Sequence, residues 1–589
     1  MAAISRHQDL PVILHNDKRG LLTVEDGRLD VLQLSRDGRP PKRLLSTPIR
    51  NFLLAKLSND KGKGSGQNRR LDLHTLGNPS GNSTSLKLTK LHVLVEPINE
   101  PEAEEWCDNT MGLAYRGIKR DKKVLLLVNP VGGKGKAKSI VHDIVLPILQ
   151  ATECQIDLRE TTHRLHAEEI TNSIELDYDV IATASGDGLV YEVLNGLASR
   201  SDAKKALKIP IAPIPTGSAN AVCTNLFGVK DTFNIPLATL NIIKGQTLPI
   251  DLCSVLLLPS QQRRFCFLST ALGLMVDLDI GTEHLRWMGD NRFLYGFLRG
   301  IVNNKNCKTK IQLKVVEDDK ISMARKARDR VKQRLVKDDK VWGGVTNPLV
   351  NGMNGLNVNG AIGTKMSEGD GTKTPLPGDV HANGNGDASA GTNNMINEED
   401  GEEGEGNEYI PDHGTIPEAK PLKPDSTWIT IDSSGALPKS TLKRSSIGSL
   451  RGNRSSAVND WIDGEGVLYF YAGMMPWVAR NLMQWPVSIS GDGLIDVVVQ
   501  SIVPRMMMAN AITGAEKGEA YWLECQHYYK VSAFIVENLD KANQPIFTID
   551  GESFPWDTFH VEVHPRIANL LSLNGDFYVS DFLRKHDEK

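Results

Sequence analysis

The residues best suited to chemistry lie in three short glycine-rich stretches. The first is Lys123 to Ala137, KVLLLVNPVGGKGKA, an apolar run that breaks into glycine and lysine. Gly132, Gly133 and Gly135 lack a Cβ, so successive backbone N–H groups can turn towards an anion, while Lys134 and Lys136 add positive charge. A phosphate group suits such a loop, although a flexible Gly/Lys linker would read the same way. The second stretch is Asp179 to Leu197, DVIATASGDGLVYEVLNGL, in which a single carboxylate, Asp187, stands between Gly186 and Gly188. Its chemistry is that of a proton acceptor or metal ligand beside a phosphate, and its bland alternative is an ordinary turn or N-cap aspartate. The third is Lys208 to Asn225, KIPIAPIPTGSANAVCTN, where Thr216 or Ser218 also suits a helix cap.

Elements that hold these groups follow from the flanking residues. Val124 to Val128 and Val180 to Ala184 are continuous β-favouring runs, expected of strands buried on both faces of a parallel sheet. Ile140, Ile144 and Ile148 repeat every four residues, and Val190, Val193, Leu194 and Leu197 recur at helical spacing. Each stretch therefore reads as strand, turn, helix. In an open parallel sheet all strand C-termini lie on one edge, where ligands bind, so three such turns converging there favour a nucleotide phosphate site. Neither common phosphate loop is present. Lys136 is followed by Ala137 instead of the Ser or Thr of a Walker A loop, and lysines occupy the place of the third glycine of a dinucleotide-binding fingerprint.

A chain of 589 residues exceeds what one core usually organises. Its net charge of −4 gives no argument for nucleic acid. Seven scattered cysteines without a C-x-x-C pair point to buried thiols of a reducing compartment. The polar start, MAAISRHQDLP, does not resemble a signal peptide, and no apolar run reaches the roughly 18 residues that span a bilayer. The expected setting is cytoplasmic, with peripheral membrane association.

Residues 1–118 read as an accessory region, partly disordered, with strand-like runs at Pro11 to Leu14 and Leu88 to Val95. Residues 119–250 read as a regular α/β domain. Residues 251–316 and 460–589 are rich in short Val, Ile, Phe and Tyr runs, as in a β-sandwich, with the last residues free to return to the first domain. Between them, 317–459 is dominated by Gly, Asn, Asp, Glu and Ser and reads as a disordered insertion. It opens on a basic, helix-compatible segment, Arg325 to Arg334, and closes on basic and serine-rich pieces that suit anionic lipid or phosphorylation. Asp492 is expected to be a hairpin turn residue, His163 and His166 lack partners for a metal, and the Met/Trp-rich segment Met474 to Trp485 suits a core more than a pocket.

Taken together, NPVGGKGKA, SGDGLVYEVLNGL and PTGSANA resemble the catalytic domain shared by diacylglycerol kinases and sphingosine kinases. Ala271 to Gly296, ALGLMVDLDIGTEHLRWMGDNRFLYG, is similar to the sphingosine (long-chain base) kinase pattern, an aspartate preceding a helix with two arginines. By alternation alone, Asp277 and Asp279 would also suit the solvent face of a strand, and Arg286 and Arg292 a helix surface. The resemblance implies α/β plus β architecture: a phosphofructokinase-like three-layer nucleotide-binding domain followed by a β-sandwich lipid-binding domain. It implies that Asn129, Gly133, Lys134, Gly135, Thr161, Ser185, Gly186, Gly217, Ser218, Arg286, Arg292, Gly551 and Glu552 bind ATP. It further implies Asp187 as catalytic base, Asp279 as the carboxylate recognising a sphingoid base, and Asp550 at Mg2+. Ala219 stands where many relatives carry glycine, and Thr216 where some carry alanine; neither removes a reactive side chain. The implied reaction is ATP-dependent phosphorylation of the primary hydroxyl of a sphingoid base. The alternatives are a diacylglycerol or ceramide kinase, or a lipid-binding scaffold without turnover.

Overall fold

A computed structural model describes residues 9–15, 17–35, 39–61, 68–77, 86–132, 135–282, 295–300, 306–342, 414–433, 466–504, 514–540 and 545–584. The first of these form more structure than two strand-like runs foretell. Residues between Leu10 and Val95 make a seven-stranded antiparallel sheet, and the helix Glu100–Tyr115 packs on its strand Phe52–Lys61. Its strands alternate buried and charged positions, as Arg69–Gly77 does with Leu71 and Leu73 inward. The sheet is fastened to the α/β half by a buried lysine. Lys244 donates from Nζ to the carbonyls of Phe52 and, at 3.0 Å, Ala114, and stacks over the Tyr115 ring at 4.3 Å. Burial pushes its pKa well down.

The α/β half is built as its sequence pattern demands. Strands Gln155–Glu160, Lys123–Val128, Val180–Ser185 and Ile211–Pro215 lie side by side in that order, all parallel. The register aligns Val128 with Glu160 and Ala184, and Ser185 with Pro215. Four chain segments therefore leave the sheet at one edge: the loops after Val128, Glu160, Ser185 and Pro215. The helical run after the first loop differs from the isoleucine repeat. A wider π turn at Val141–Val145 interrupts Ala137–Ile140 and Leu146–Gln150, so the buried residues are Ala137, Val141, Val145, Ile148 and Leu149 while Ile140 and Ile144 are half-buried.

The β-rich half is antiparallel, and it is not separated from the first. Strand Gln246–Leu258 straddles the boundary expected at residue 250 and pairs along its length with Thr558–Ser572. That last strand also pairs with Gln526–Asn538 and, through Leu570, in parallel with Ile211. One continuous sheet thus runs from Gln155–Glu160 to the hairpin Ile546–Ile549/Glu552–Pro555. Mixed α/β and β-rich halves agree with the expectation.

Part of the span read as an insertion belongs to this framework. Lys320–Trp342 is a helix whose Met323, Ala324 and Ala327 enter the core, and Ile429–Asp432 pairs with Thr309–Glu317. Before it, Gly414 accepts from Lys204 N, Pro417 accepts from Arg263, and Leu422 N donates to His560. Residues 343–413 lie outside the described residues. No described helix is long and apolar enough to cross a membrane. Asp492 does more than turn the chain: it accepts from Leu494 N at 3.0 Å and pairs with buried Lys530 at 3.0 Å.

Candidate functional site

A cavity of about 320 Å³ opens at the edge where the four loops leave the parallel sheet. Asn129, Gly132, Ser185, Gly186, Gly217 and Ser218 form one wall. Two of the three glycines of that wall are required by packing. A Cβ on Gly186 would stand 2.5 Å from the Ala219 carbonyl oxygen, and one on Gly217 would stand 2.3 Å from the Gly186 nitrogen. The second and third loops are held backbone to backbone, with Gly217 N donating to Ser185 O at 3.0 Å. Asn129 ties in the first: its Nδ2 reaches Ser185 Oγ at 3.4 Å and its Oδ1 accepts from Val131 N at 3.2 Å.

Asp187 begins the helix Asp187–Ala198 and faces this wall's inner end. Its Oδ2 accepts from Ala221 N at 2.7 Å and its Oδ1 from Val222 N at 3.1 Å, the first amides of the helix Ala221–Phe227. Burial raises its pKa, and these two amides oppose the rise. The carboxylate is thus fixed in place and biased towards accepting a proton.

The opposite wall comes from the β-rich half and is largely apolar, with Leu268, Met275, Leu278, Val478 and Leu482. Met275 and Leu278 lie on a short helix, Leu274–Asp279, where the alternating pattern would have suited a strand. Asp279 ends this helix, and its side chain lies outside those described. Met474, Met475, Trp477, Met483 and Trp485 are core, as expected, while Val478, Ala479, Asn481 and Leu482 between them line the cavity.

The acidic turn Asp550-Gly551 closes the floor. Both residues have positive φ, 50° and 85°, the two-residue turn that joins Ile546–Ile549 to Glu552–Pro555. Asp550 is heavily engaged. Its Oδ1 accepts from Leu268 N (2.9 Å), Ser269 N (2.8 Å) and Cys266 Sγ (3.2 Å), and its Oδ2 accepts from Phe267 N (3.0 Å). Burial pushes its carboxyl up to about 6. Glu552 instead meets a side chain, the exposed guanidinium of Arg164.

Of the expected residues, Asn129, Ser185, Gly186, Asp187, Gly217, Ser218, Asp550, Gly551 and Glu552 are brought together here. Thr161 is buried and donates to Val128 O instead of lining the cavity. Gly135 has φ 69° and also stands outside the lining. Gly133, Lys134, Arg286 and Arg292 lie outside the described residues. Two residues escaped the sequence reading. Glu192 lines the cavity and holds the loop after Thr161 by accepting from Leu165 N and Ala167 N, both at 3.1 Å. Arg164 sits in that loop. The signal for Glu192 was its position one turn beyond Asp187 on the same helix.

Four carboxylates, Asp187, Glu192, Asp550 and Glu552, line the cavity without a lysine or arginine among its described lining residues. That surplus suits a divalent cation shared with phosphates, the usual manner of Mg2+, which takes one or two carboxylates and keeps the rest of its shell for water and substrate. No described group of three His, Cys, Asp or Glu forms a closed metal site, His163 and His166 included; their rings stack at 4.6 Å.

Residues 123–255 match the family model of the diacylglycerol kinase catalytic domain. Sphingoid long chain base kinase 4 of Schizosaccharomyces pombe is 26% identical over 481 residues, covering 81% of this chain and 81% of its own length. Human sphingosine kinase 1 is 39% identical over 193 residues, which cover 31% of this chain and 50% of that protein. A putative diacylglycerol kinase structure from Bacillus anthracis aligns with 77% of this chain and 96% of its own at 15% identity, with a TM-score of 0.42. The likeness to sphingosine kinases read from the motifs is borne out.

Proposed function

We propose that this chain transfers the γ-phosphoryl group of ATP to the primary hydroxyl of a sphingoid long-chain base. The observation that carries the reading is the two-faced cavity: a glycine-edged polar wall, an apolar wall opposite, and Asp187 fixed between them. In this reading the polar wall takes the phosphates through backbone N–H groups, together with Lys134, Arg286 and Arg292. The lipid lies along the apolar wall with its hydroxyl at Asp187. The hydroxyl oxygen forms the new P–O bond, the bond to ADP breaks, and Asp187 takes the proton. Asp279, at the end of the helix that supplies Met275 and Leu278, pairs with the ammonium.

Magnesium, when bound, neutralises charge on the transferring phosphates. Glu552, held only by an exposed arginine in the described contacts, is the better placed carboxylate to meet it. Asp550 acts one step back, pinning residues 266–269 with four donors. We read the two halves as a phosphofructokinase-like three-layer domain and a β-sandwich. The seven free thiols fit a reducing cytoplasm, and a substrate drawn from a bilayer fits peripheral membrane contact.

The test is incubation with labelled ATP, Mg2+ and three acceptors: a free sphingoid base, its N-acylated analogue and diacylglycerol. Label in the free base supports the reading. Label confined to the acylated lipid or diacylglycerol moves the assignment to that lipid, and label in none leaves a scaffold.

A further inference from the structure

The N-terminal sheet contributes no residue to the cavity, yet its charge is gathered in one place. Strands Leu10–Leu14, Lys18–Glu25, Arg28–Gln33 and Lys42–Pro48 form an antiparallel meander, so the connections before Lys18 and before Lys42 lie at the same end. Lys18, Arg19, Arg39, Lys42 and Arg43 are found there, all exposed. The register brings them together. Leu34 N donates to Arg19 O at 2.9 Å, Gln33 stands opposite both Gly20 and Lys42, and Leu32 stands opposite both Leu21 and Arg43. Neighbouring strands are about 5 Å apart, so the two basic pairs face each other about 10 Å apart across one strand. Arg43 pairs with Asp30 at 3.0 Å, while Lys18, Arg19 and Lys42 meet no carboxylate among the described residues. Asp17 is the one described acid of the two connections.

Further observations set the kind of partner. The catalytic half meets this sheet elsewhere: at the other end of Lys18–Glu25, about 25 Å away, Gly27 O accepts from Ile49 N, beside Arg50, which reaches Asn574 at 3.4 Å. Charge is also segregated, since the helix Glu100–Tyr115 carries five acids and no lysine or arginine. Such separation turns the basic end towards a negative surface. Between the cations lie Leu21 and Leu32, half-buried on the face opposite buried Leu22, Leu29 and Val31. Leucines beside long cationic side chains suit the boundary of a bilayer, and no Phe, Tyr or Trp stands between Leu10 and Pro48 on which a nucleic acid base could stack. We propose that this rim docks on an anionic bilayer, its cations meeting the phosphate and carboxylate groups of the lipid heads. The inference deepens the membrane contact of the kinase reading and rests on that reading for the reason a bilayer is visited.

The experiment measures binding of the full chain, without ATP, to vesicles of phosphatidylcholine alone and of equal parts phosphatidylcholine and phosphatidylserine. The parent should bind the mixed vesicles and leave them as salt is raised. The triple variant Lys18→Gln/Arg19→Gln/Lys42→Gln should weaken that binding roughly 100-fold, about fivefold for each charge near the surface. A control triple, Lys205→Gln/Lys308→Gln/Lys314→Gln, removes the same charge from exposed positions outside the sheet and should change binding far less. Both variants should phosphorylate a detergent-dispersed base at the parent rate, because neither touches the cavity. Equal loss in the two triples, parent binding indifferent to phosphatidylserine or to salt, or full binding by the rim variant overturns the proposal. So does a parent that holds mixed-sequence RNA but no vesicle. Should the rim triple fail to fold, Arg19→Gln alone is expected to lose about fivefold, and an unchanged affinity overturns the role of the rim. A parent that phosphorylates no lipid overturns the kinase reading, whereas the docking is decided by the vesicles alone.

Discussion

At the scale of the residue, Asp187 carries two duties on one carboxylate. It caps the helix Ala221–Phe227 with both oxygens, and the proposed chemistry gives it the hydroxyl proton. Asp187→Asn should lower kcat by about 10²–10⁴, the usual loss for a general base. The amide presents one oxygen where two backbone donors wait, so a stability loss of about 1 kcal/mol should accompany it. Circular dichroism and turnover on one preparation separate the two effects. The raised pKa has a sign: the base must be ionised, so activity should fall on acidification at a higher pH than an ordinary aspartate would give. A kcat–pH profile checks this, and an acid limb at or below the ordinary aspartate range would remove Asp187 from the role. Asp187 was legible in the sequence because glycines flank it. Glu192 and the employment of Asp550 were not, because their partners are main-chain amides, which every residue but proline owns and no motif marks.

At the scale of the element, the phosphate wall depends on loops that touch through their backbones. Gly217→Ala would place a methyl group 2.3 Å from the Gly186 nitrogen, closer than any side-chain carbon can stand. The two turns must part, so KM for ATP should rise at least about tenfold while KM for the lipid changes little. An unchanged KM for ATP would mean that the third loop does not border the nucleotide. The parallel strands were legible since strands buried on both faces read as unbroken apolar runs, Val124 to Val128 above all. The N-terminal sheet was less so. Its strands carry charged and polar residues on one face, as Arg69–Gly77 does with Arg70, Asp72 and His74, and composition then mimics loop. The π turn at Val141–Val145 was hidden for another reason: periodicity assumes a constant pitch, and one wide turn shifts the buried face by a residue.

At the scale of the whole molecule, the span 317–459 expected to be an insertion contributes described residues to the framework, the helix Lys320–Trp342 and the strand Ile429–Asp432 among them. Replacing 346–412 with a short Gly/Ser linker should leave thermal stability and in vitro activity close to the parent, because such composition contributes little to a core. Extending the deletion to Asp425 should instead cost about 1–3 kcal/mol. It removes the bonds from Lys204, Arg263 and Leu422 and the buried side chain of Ile416, 6% exposed. Equal melting temperatures for the two deletions would show that residues 414–425 contribute nothing. These edges were illegible because their contacts are main-chain bonds made by a proline-rich, polar segment that reads as linker.

The strand Thr558–Ser572 has a further consequence for how the protein is made. It supplies the outer neighbour of Ile211–Pro215, yet it leaves the ribosome more than half the chain later. Throughout that interval the nascent nucleotide-binding sheet presents an unfinished apolar border, a template for wrong pairing. Folding of the catalytic half must therefore wait until Thr558–Ser572 has been made, and the long polar span before it lengthens the wait. A chain ending at Asp557 should accumulate in the insoluble fraction or in chaperone complexes, even though every strand carrying a phosphate loop is present in it; a soluble, nucleotide-binding product would show that the border closes without its final strand.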